Sequence, residues 1–347
     1  MPHDVDRTAS PLGAGPLRIH RDNPRYFADR SGAAVLLAGA QTWATLQERR
    51  GHETPVFDYE AWLAFLVDHR MNYMRLWTWE HSFGMQFTDR EIRYSPQWYL
   101  RTGPGSANDG EPRFDLEQLN PYLIERLRSR VARAGERGIY VTVMLFQGFS
   151  LDKTGVRALG RNAFLFHPMQ KANNVNGVDG DVDGSGTGHG IHSLANADIT
   201  RLQKRRVRAV VEALNEFDNV LWEITNESHE GSVEWQYHMI RYVRSVEQEL
   251  PKQHLVGMSG APVSNDALVS SPADWIGPFH GTNGPGWVPQ NLETDKVIIS
   301  DTDHLGFQSS DALWPWKCML SGQHFCIMDP YMDARYCSPR SPMLEWD

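Results

Sequence analysis

The chain has little cysteine, no long apolar run and no surplus of positive charge. Three cysteines in 347 residues, Cys318, Cys326 and Cys337, are too few and odd in number for a disulfide framework. Their spacings of eight and eleven are not those of a zinc site, so buried or incidental thiols are expected. The longest apolar stretches are strand-sized, such as Ala33 to Ala40, and nothing is expected to span a bilayer. With 34 Lys+Arg against 43 Asp+Glu the formal net charge is −9, which argues against nucleic acid or an anionic membrane as partner. The basic triplet Lys204-Arg205-Arg206 reads as a solvated helix face. Residues 1–16 are polar and rich in Pro and Gly with no apolar h-region, which suggests a flexible arm and a cytoplasmic protein.

Aromatic residues are plentiful. The 12 Trp and 11 Tyr suit core packing and, equally, stacking on sugars. A hydrophobic fraction of 41% with 22% charged residues is that of a core-forming globular protein. No linker or internal repeat divides residues 17–347, so one domain is expected there. Short apolar runs alternate with amphipathic segments, the pattern of βα units around a parallel sheet. The runs are 35–40, 72–77, 139–146, 219–225, 254–258, 274–278, 296–300 and 324–329. Eight strands close a barrel, so the expected fold is a single α/β (β/α)8 TIM barrel.

Helices are expected over 61–69, from Asn120-Pro121 to Gly138, from Asp198 to Leu214 and from Ser232 to Leu250. Long loops, about Phe83–Arg113 and Gly148–Ala197, follow the second and third strands, on the face where barrel active sites lie. After the eighth strand PRSPMLEWD does not make the amphipathic helix that would close the ring. A truncated chain, or an atypical last helix, is therefore expected.

Polar and aromatic groups collect at the same end of nearly every strand. The first ends in Gln41 and Trp43, the second in Trp77, Trp79, Glu80 and His81, the third in Gln147. The fourth ends in Asn226 and Glu227, the sixth in His280, the seventh in Asp301, Asp303 and His304, the eighth in Asp329 and Tyr331. Each such group costs desolvation if merely buried, so the pattern marks a site. Two carboxylates on the fourth and seventh strands face each other across a barrel mouth, as glycoside hydrolysis requires.

The Asn-Glu after the fourth strand and the acid after the seventh resemble the clan of (β/α)8-barrel retaining glycosidases that includes cellulases and β-mannanases. NPRYFADRSGAAVLLAGAQTW, MRLWTWEH, DNVLWEITNES and VIISDTDHLG resemble, more closely, its cellulase-like or apiosidase-like branch, in order over about 17–331. The resemblance implies Glu227 as general acid/base, Asn226 as a donor to the sugar 2-hydroxyl, and Asp301 as nucleophile. It also implies Arg75 as the arginine that holds the nucleophile, and His280 at a position that contacts it. Glu227 would then need a raised pKa to act as an acid.

Asp is one methylene shorter than the clan's usual Glu, which favours a wider carboxylate gap and hence inversion as the rival mechanism. Asp303 competes with Asp301 for the second carboxylate, and Arg75 has a second partner in Glu223. Glu80 and His81 read as sugar ligands or loop anchors; of Trp43, Trp77 and Trp79, one or two are expected to touch substrate. His189 and His192 read as cleft or ordinary loop residues. Asp179, Asp181 and Asp183 imitate the start of a calcium loop, but the twelfth position is Gly190, so a solvated loop is expected. The expected ligand is a carbohydrate, with no metal or organic cofactor. A catalytically idle carbohydrate-binding barrel is the reading from another class.

Overall fold

The structure, a computed structural model, describes residues 12, 15–50, 56–84, 92–151, 155–156, 161–280, 288–302 and 312–329. Eight parallel strands close a barrel in chain order: β1 (Ala38–Thr42), β2 (Tyr73–Leu76), β3 (Tyr140–Gln147), β4 (Val220–Asn226), β5 (Val256–Ser259), β6 (Trp275–Gly277), β7 (Val297–Asp301) and β8 (His324–Met328). The seam is the pairing of β8 with β1, Cys326 opposite Gly39 and Met328 opposite Gln41. All eight expected runs become these strands. The first starts later than expected because Ala34–Val35 pairs with Phe27–Ala28 in a separate three-stranded sheet.

Among the described residues six helices accompany the strands: α1 (Tyr59–Asp68), α2 (Pro121–Gly135), α3 (Ala197–Leu214), α4 (Val233–Glu247), α5 (Asn265–Ser270) and α6 (Trp314–Leu320). Their starts follow local chemistry. Asn120 accepts the Tyr122 N–H and Pro121 opens α2, while Asn196 accepts from Asp198 and Ile199 at the start of α3. No helix joins β6 to β7 among the described residues, and the chain after β8 lies outside them from residue 330.

The barrel floor is apolar. Leu37, Tyr73, Tyr140, Leu221, Trp275, Val297, Ile299 and Cys326 pack with Leu12, Leu17 and Phe27 from the N-terminal segment. The Gly15 N–H donates to Asp218 at 3.0 Å; residues 1–11 of the expected arm lie outside the described residues. Cys318 and Cys326 are buried thiols, and Cys337 lies outside the described residues.

The two long connections carry structure of their own. In the first, Arg93–Ser95 pairs antiparallel with Glu48–Arg50, and Tyr99–Ser106 pairs with Pro112–Leu119. The second winds through short 3-10 turns at Ala163–Phe166, Lys171–Asn173 and His189–His192. Side chains replace a ladder there: the Asn174 amide donates to the carbonyls of Pro168, Gln170 and Val178 at 2.9–3.0 Å.

Candidate active site

Strand alternation puts Tyr73, Arg75 and Trp77 on one face of β2, and Leu221 and Glu223 on one face of β4. Tyr73 and Leu221 belong to the barrel floor, so Arg75 and Glu223 stand above it, inside. A guanidinium that is 3% exposed needs partners on every side. Arg75 Nε donates to Glu223 at 2.6 Å and Nη2 donates to the same carboxylate, a two-pronged ion pair. Its Nη1 donates to Asp301 at 3.3 Å and to Gln41 at 3.0 Å, and Nη2 donates to Asn226 at 2.8 Å. Burial would depress the guanidinium's pKa, but the Glu223 and Asp301 carboxylates outweigh it and raise it. The two readings of Arg75 are therefore not alternatives: the same side chain pairs with Glu223 and reaches Asp301.

Gln41 is oriented by its donors. Its Oε1 accepts from both Trp77 Nε1 and Arg75 at 3.0 Å, which turns Nε2 towards Asp301 at 3.5 Å. Asp301, ending β7, keeps a side chain 27% exposed and thus looks out of an otherwise buried network. Asn226 gives its oxygen to Arg75 and its amide N–H to Gln147 at 3.0 Å. Glu227 follows at the end of β4, 6% exposed and with φ of +45°. Ser259 on β5 donates to Glu223 at 2.6 Å; it was not foreseen, since an isolated strand serine carries no signal.

Glu80 and His81 face inward and are 2% and 0% exposed. The Ser150 hydroxyl accepts the Glu80 N–H and stands 2.8 Å from His81 Nδ1, while His81 Nε2 reaches the Gly84 carbonyl at 3.0 Å. That arrangement makes them anchors of the loop. Burial pushes His81 down to about 3, so it is neutral. Trp43, Trp77 and Trp79, at 5%, 2% and 1% exposure, form a chain of ring contacts, edge-on between Trp43 and Trp77 and tilted between Trp77 and Trp79, continued by Tyr94, which stacks on Trp79 at 4.7 Å. Trp79 is enclosed among Trp77, His81, Tyr94 and Phe149. Arg49, also unforeseen, sets its guanidinium 5.4–5.9 Å from the rings of Trp43, Trp79 and Tyr94.

His280 ends just past β6, 2% exposed. Its Nδ1 accepts the Gln290 N–H at 3.2 Å, which puts the ring proton on Nε2, and burial pushes its pKa down to about 4. It is a neutral donor. Asp329 is buried where β8 ends. Asp303, His304 and Tyr331 lie outside the described residues.

One expectation is overturned. Arg206, read as part of a solvated triplet, is 2% exposed and donates to Glu80 at 2.9 Å and to the Leu145 carbonyl at 2.8 Å. The signal was available: Arg206 falls on the α3 stripe with Leu202, Val207 and Val210. His192 is fully buried against the same Glu80, whereas His189 stacks on His229 at 4.1 Å. Asp179, Asp181 and Asp183 accept N–H groups of their own loop. Among the described residues no three His, Cys, Asp or Glu side chains converge as a metal site, and no helix is long and apolar enough to cross a membrane.

No family model matches the chain, and no curated protein does. Solved structures do. A Bacteroides vulgatus protein described as a glycoside hydrolase has a TM-score of 0.56 at 14% identity, over 93% of this chain and 55% of that one. A glycoside hydrolase family 5 protein from the same organism has 0.52 at 12%, over 90% of this chain and 62% of that one. An endo-1,4-beta-mannanase from Rhizomucor miehei has 0.50 at 11%, over 91% of this chain and 88% of that one. The chain thus spans less than two thirds of the first two. At such identities the likeness is one of fold, and the fold is the closed parallel barrel on which these glycoside hydrolases are built.

Proposed function

We propose that the chain hydrolyses O-glycosidic bonds by double displacement, with Glu227 as acid/base and Asp301 as nucleophile. The observation that carries this reading is the Arg75 fork. One buried guanidinium neutralises Glu223, holds Asn226 beside Glu227, and still donates to the partly exposed Asp301 at 3.3 Å. A carboxylate so held stands beside a fixed positive charge and is aimed at the barrel mouth. Glu227 would protonate the leaving oxygen as Asp301 bonds to the anomeric carbon; water, deprotonated by Glu227, would then release the sugar. The amide of Asn226 lies next to the acid, where a sugar 2-hydroxyl would be bound. The chemistry calls for no cofactor, and the names of the structural neighbours make β-mannosides the first sugars to try.

The test is hydrolysis of aryl glycosides and oligosaccharides, β-1,4-mannan fragments included, by wild type, Glu227→Ala and Asp301→Ala. General acid catalysis is worth roughly 100- to 10,000-fold, so a loss of that order is expected in Glu227→Ala on substrates whose leaving group needs a proton, and Asp301→Ala, which removes the covalent step, should lose activity on every substrate. Azide should restore turnover in Asp301→Ala as a glycosyl azide. A first product of retained anomeric configuration supports double displacement; an inverted one replaces it with direct attack by water. A folded wild type that turns over no glycoside leaves a carbohydrate-binding barrel, and turnover unchanged in Glu227→Ala removes the assignment.

A further inference from the structure

Glu227 sits in a backbone conformation that non-glycine residues rarely adopt, with φ of +45°. Strain of this kind persists only where the surroundings over-determine it, and here they can be traced. Gly148, just past β3, lies against the turn so closely that an added Cβ would stand 2.5 Å from the Glu227 carbonyl oxygen and 2.4 Å from Ser228 Cα. Ser228 Oγ is 2.8 Å from His192 Nδ1. The His192 ring stacks on Trp235 at 4.3 Å and 12°, and its Nε2 faces the Glu80 carboxylate at 3.4 Å. With a carboxylate at Nε2 the ring proton belongs there, so Nδ1 accepts the proton of Ser228.

Glu80 also holds the neighbouring strand end. Its Oε2 accepts the Gln147 N–H at 2.8 Å, and Gln147 Oε1 in turn accepts from Asn226 at 3.0 Å. Arg206 donates to Glu80 Oε1 at 2.9 Å, and His167 Nε2 stands 3.7 Å from that oxygen. Two routes therefore run from one sealed carboxylate to the Asn226-Glu227 pair: through His192 and Ser228 to the residue after the acid, and through Gln147 to the residue before it. We propose that Glu80 is a positioning residue for the acid/base, acting through His192 and Ser228 on one side and Gln147 on the other. The inference rests on the proposed glycosidase reading. It makes the long connection after β3, which supplies His192, part of the catalytic frame.

A merely structural role and a positioning role differ in leaving-group dependence. Expelling 2,4-dinitrophenolate needs no proton from the enzyme, whereas expelling a sugar or an alkoxide does. The constant kcat/KM reports the first, bond-breaking step for both substrates. Ser228→Ala, which cuts one route without opening a cavity, and Glu80→Gln, which keeps the shape, are compared with wild type. Both variants are expected to lose roughly 10- to 100-fold on an oligosaccharide or alkyl glycoside, as a misplaced catalytic group does. On the 2,4-dinitrophenyl glycoside of the same sugar they should stay within about threefold of wild type. Equal losses on both substrates, or none on either, overturn the positioning role. Should Glu80→Gln fail to fold, Ser228→Ala decides alone. A wild type inactive on every glycoside overturns the proposed function and this role with it; an active wild type with indifferent variants overturns this role only.

Discussion

Arg75 and Arg206 are both buried, and each is paired with a glutamate, Glu223 and Glu80 respectively, yet only one pair opens towards solvent. The Arg75 and Glu223 side chains are 4% and 0% exposed, those of Arg206 and Glu80 3% and 2%. Arg75 has a further acceptor, Asp301, whose side chain is 27% exposed. Arg206 has instead the Leu145 carbonyl and the faces of Phe146 and Trp98, at 4.2 and 5.1 Å. Burial would raise the Glu80 pKa, but Arg206 together with His167 and His192 holds it well below the usual carboxylate range. A desolvated pair with no outlet can hold backbone in place. One with an outlet also presents a polarised carboxylate to whatever enters the mouth.

The sharpest way to break that division is to remove each guanidinium. Arg75→Met leaves Glu223 and Asp301 without their cation, and Arg206→Met leaves Glu80 without its own. Orphaning a buried charge costs about 3–5 kcal/mol, so both variants should unfold at markedly lower urea. Activity should separate them. On a 2,4-dinitrophenyl glycoside Arg75→Met is expected to lose more than about 100-fold, as on removal of a donor aimed at the reacting charge. Arg206→Met, measured where it is folded, should lose less than about tenfold on that substrate. Equal losses would show that the sealed pair also reaches Asp301.

The second difference concerns pH. Burial holds His81 at about 3, His280 at about 4 and His324 at about 3, one beside the sealed pair, one past β6 and one at the base of β8. An unfolded histidine binds its proton near 6.5 and these folded ones do not, so the unfolded state takes up more protons as pH falls through 6.5. Stability is therefore full above that value and is lost below it. From pH 7.5 to 5.5 each contributes on the order of 1 kcal/mol, hence a few kcal/mol for the three. Glu80 has the opposite chemistry but the same direction: its contribution is present above the unfolded carboxylate range and is lost only as pH falls below it, outside this window. Urea midpoints at the two pH values check the direction and size of the loss, and His324→Gln should make it smaller. A flat profile would mean that these rings gain protons in the folded state.

Much of this was legible in the sequence, and the parts that were not have physical reasons. The strand Val220–Asn226 announces itself because a parallel strand buried on both faces reads as an apolar run with polar residues at its outlet. Arg75 and Glu223 could be paired from alternation alone. The hairpin strand Pro112–Leu119 carries its own signal too, with Phe114 and Leu116 buried between residues that are not. The enclosure of Trp79 could not be read, because Tyr94 and Phe149, which cover it, arrive from two different connections. Nor could the φ of Glu227, whose turn Gly148 approaches closely from the end of the preceding strand, β3.

That approach gives the third prediction. In Gly148→Ala the new methyl meets backbone, at 2.4 and 2.5 Å from Ser228 and Glu227, and backbone cannot swing aside as a flexible side chain would. Overpacking of this kind costs about 1–3 kcal/mol. Activity should fall by more than the stability loss accounts for, because the displaced atoms belong to Glu227, the proposed acid/base. Thermal unfolding and kcat/KM on the same preparation test this; a stable, fully active variant would show that the turn relaxes freely.

The smallest expected effect is the most exacting, because it separates neighbours. Arg205 and Arg206 are adjacent on α3 and chemically identical, and both meet a glutamate. Arg205 donates to Glu117 at 2.6 Å with both side chains 45% exposed, whereas Arg206 is sealed against Glu80. An exposed ion pair is screened by water and salt, and it gives back in side-chain entropy much of what it gains, so it is worth about 0.2–1 kcal/mol. Arg201 shares Glu117 at 2.6 Å and remains to satisfy it, which places Arg205→Ala at the low end. A shift of under about 0.5 kcal/mol, shrinking further in high salt, is expected beside the several-kilocalorie loss in Arg206→Met. Urea unfolding of the two variants at low and high ionic strength measures the contrast. If the pair of neighbours cost the same, helix phase would not be what divides the triplet, and the sealing of Glu80 would lose its energetic meaning.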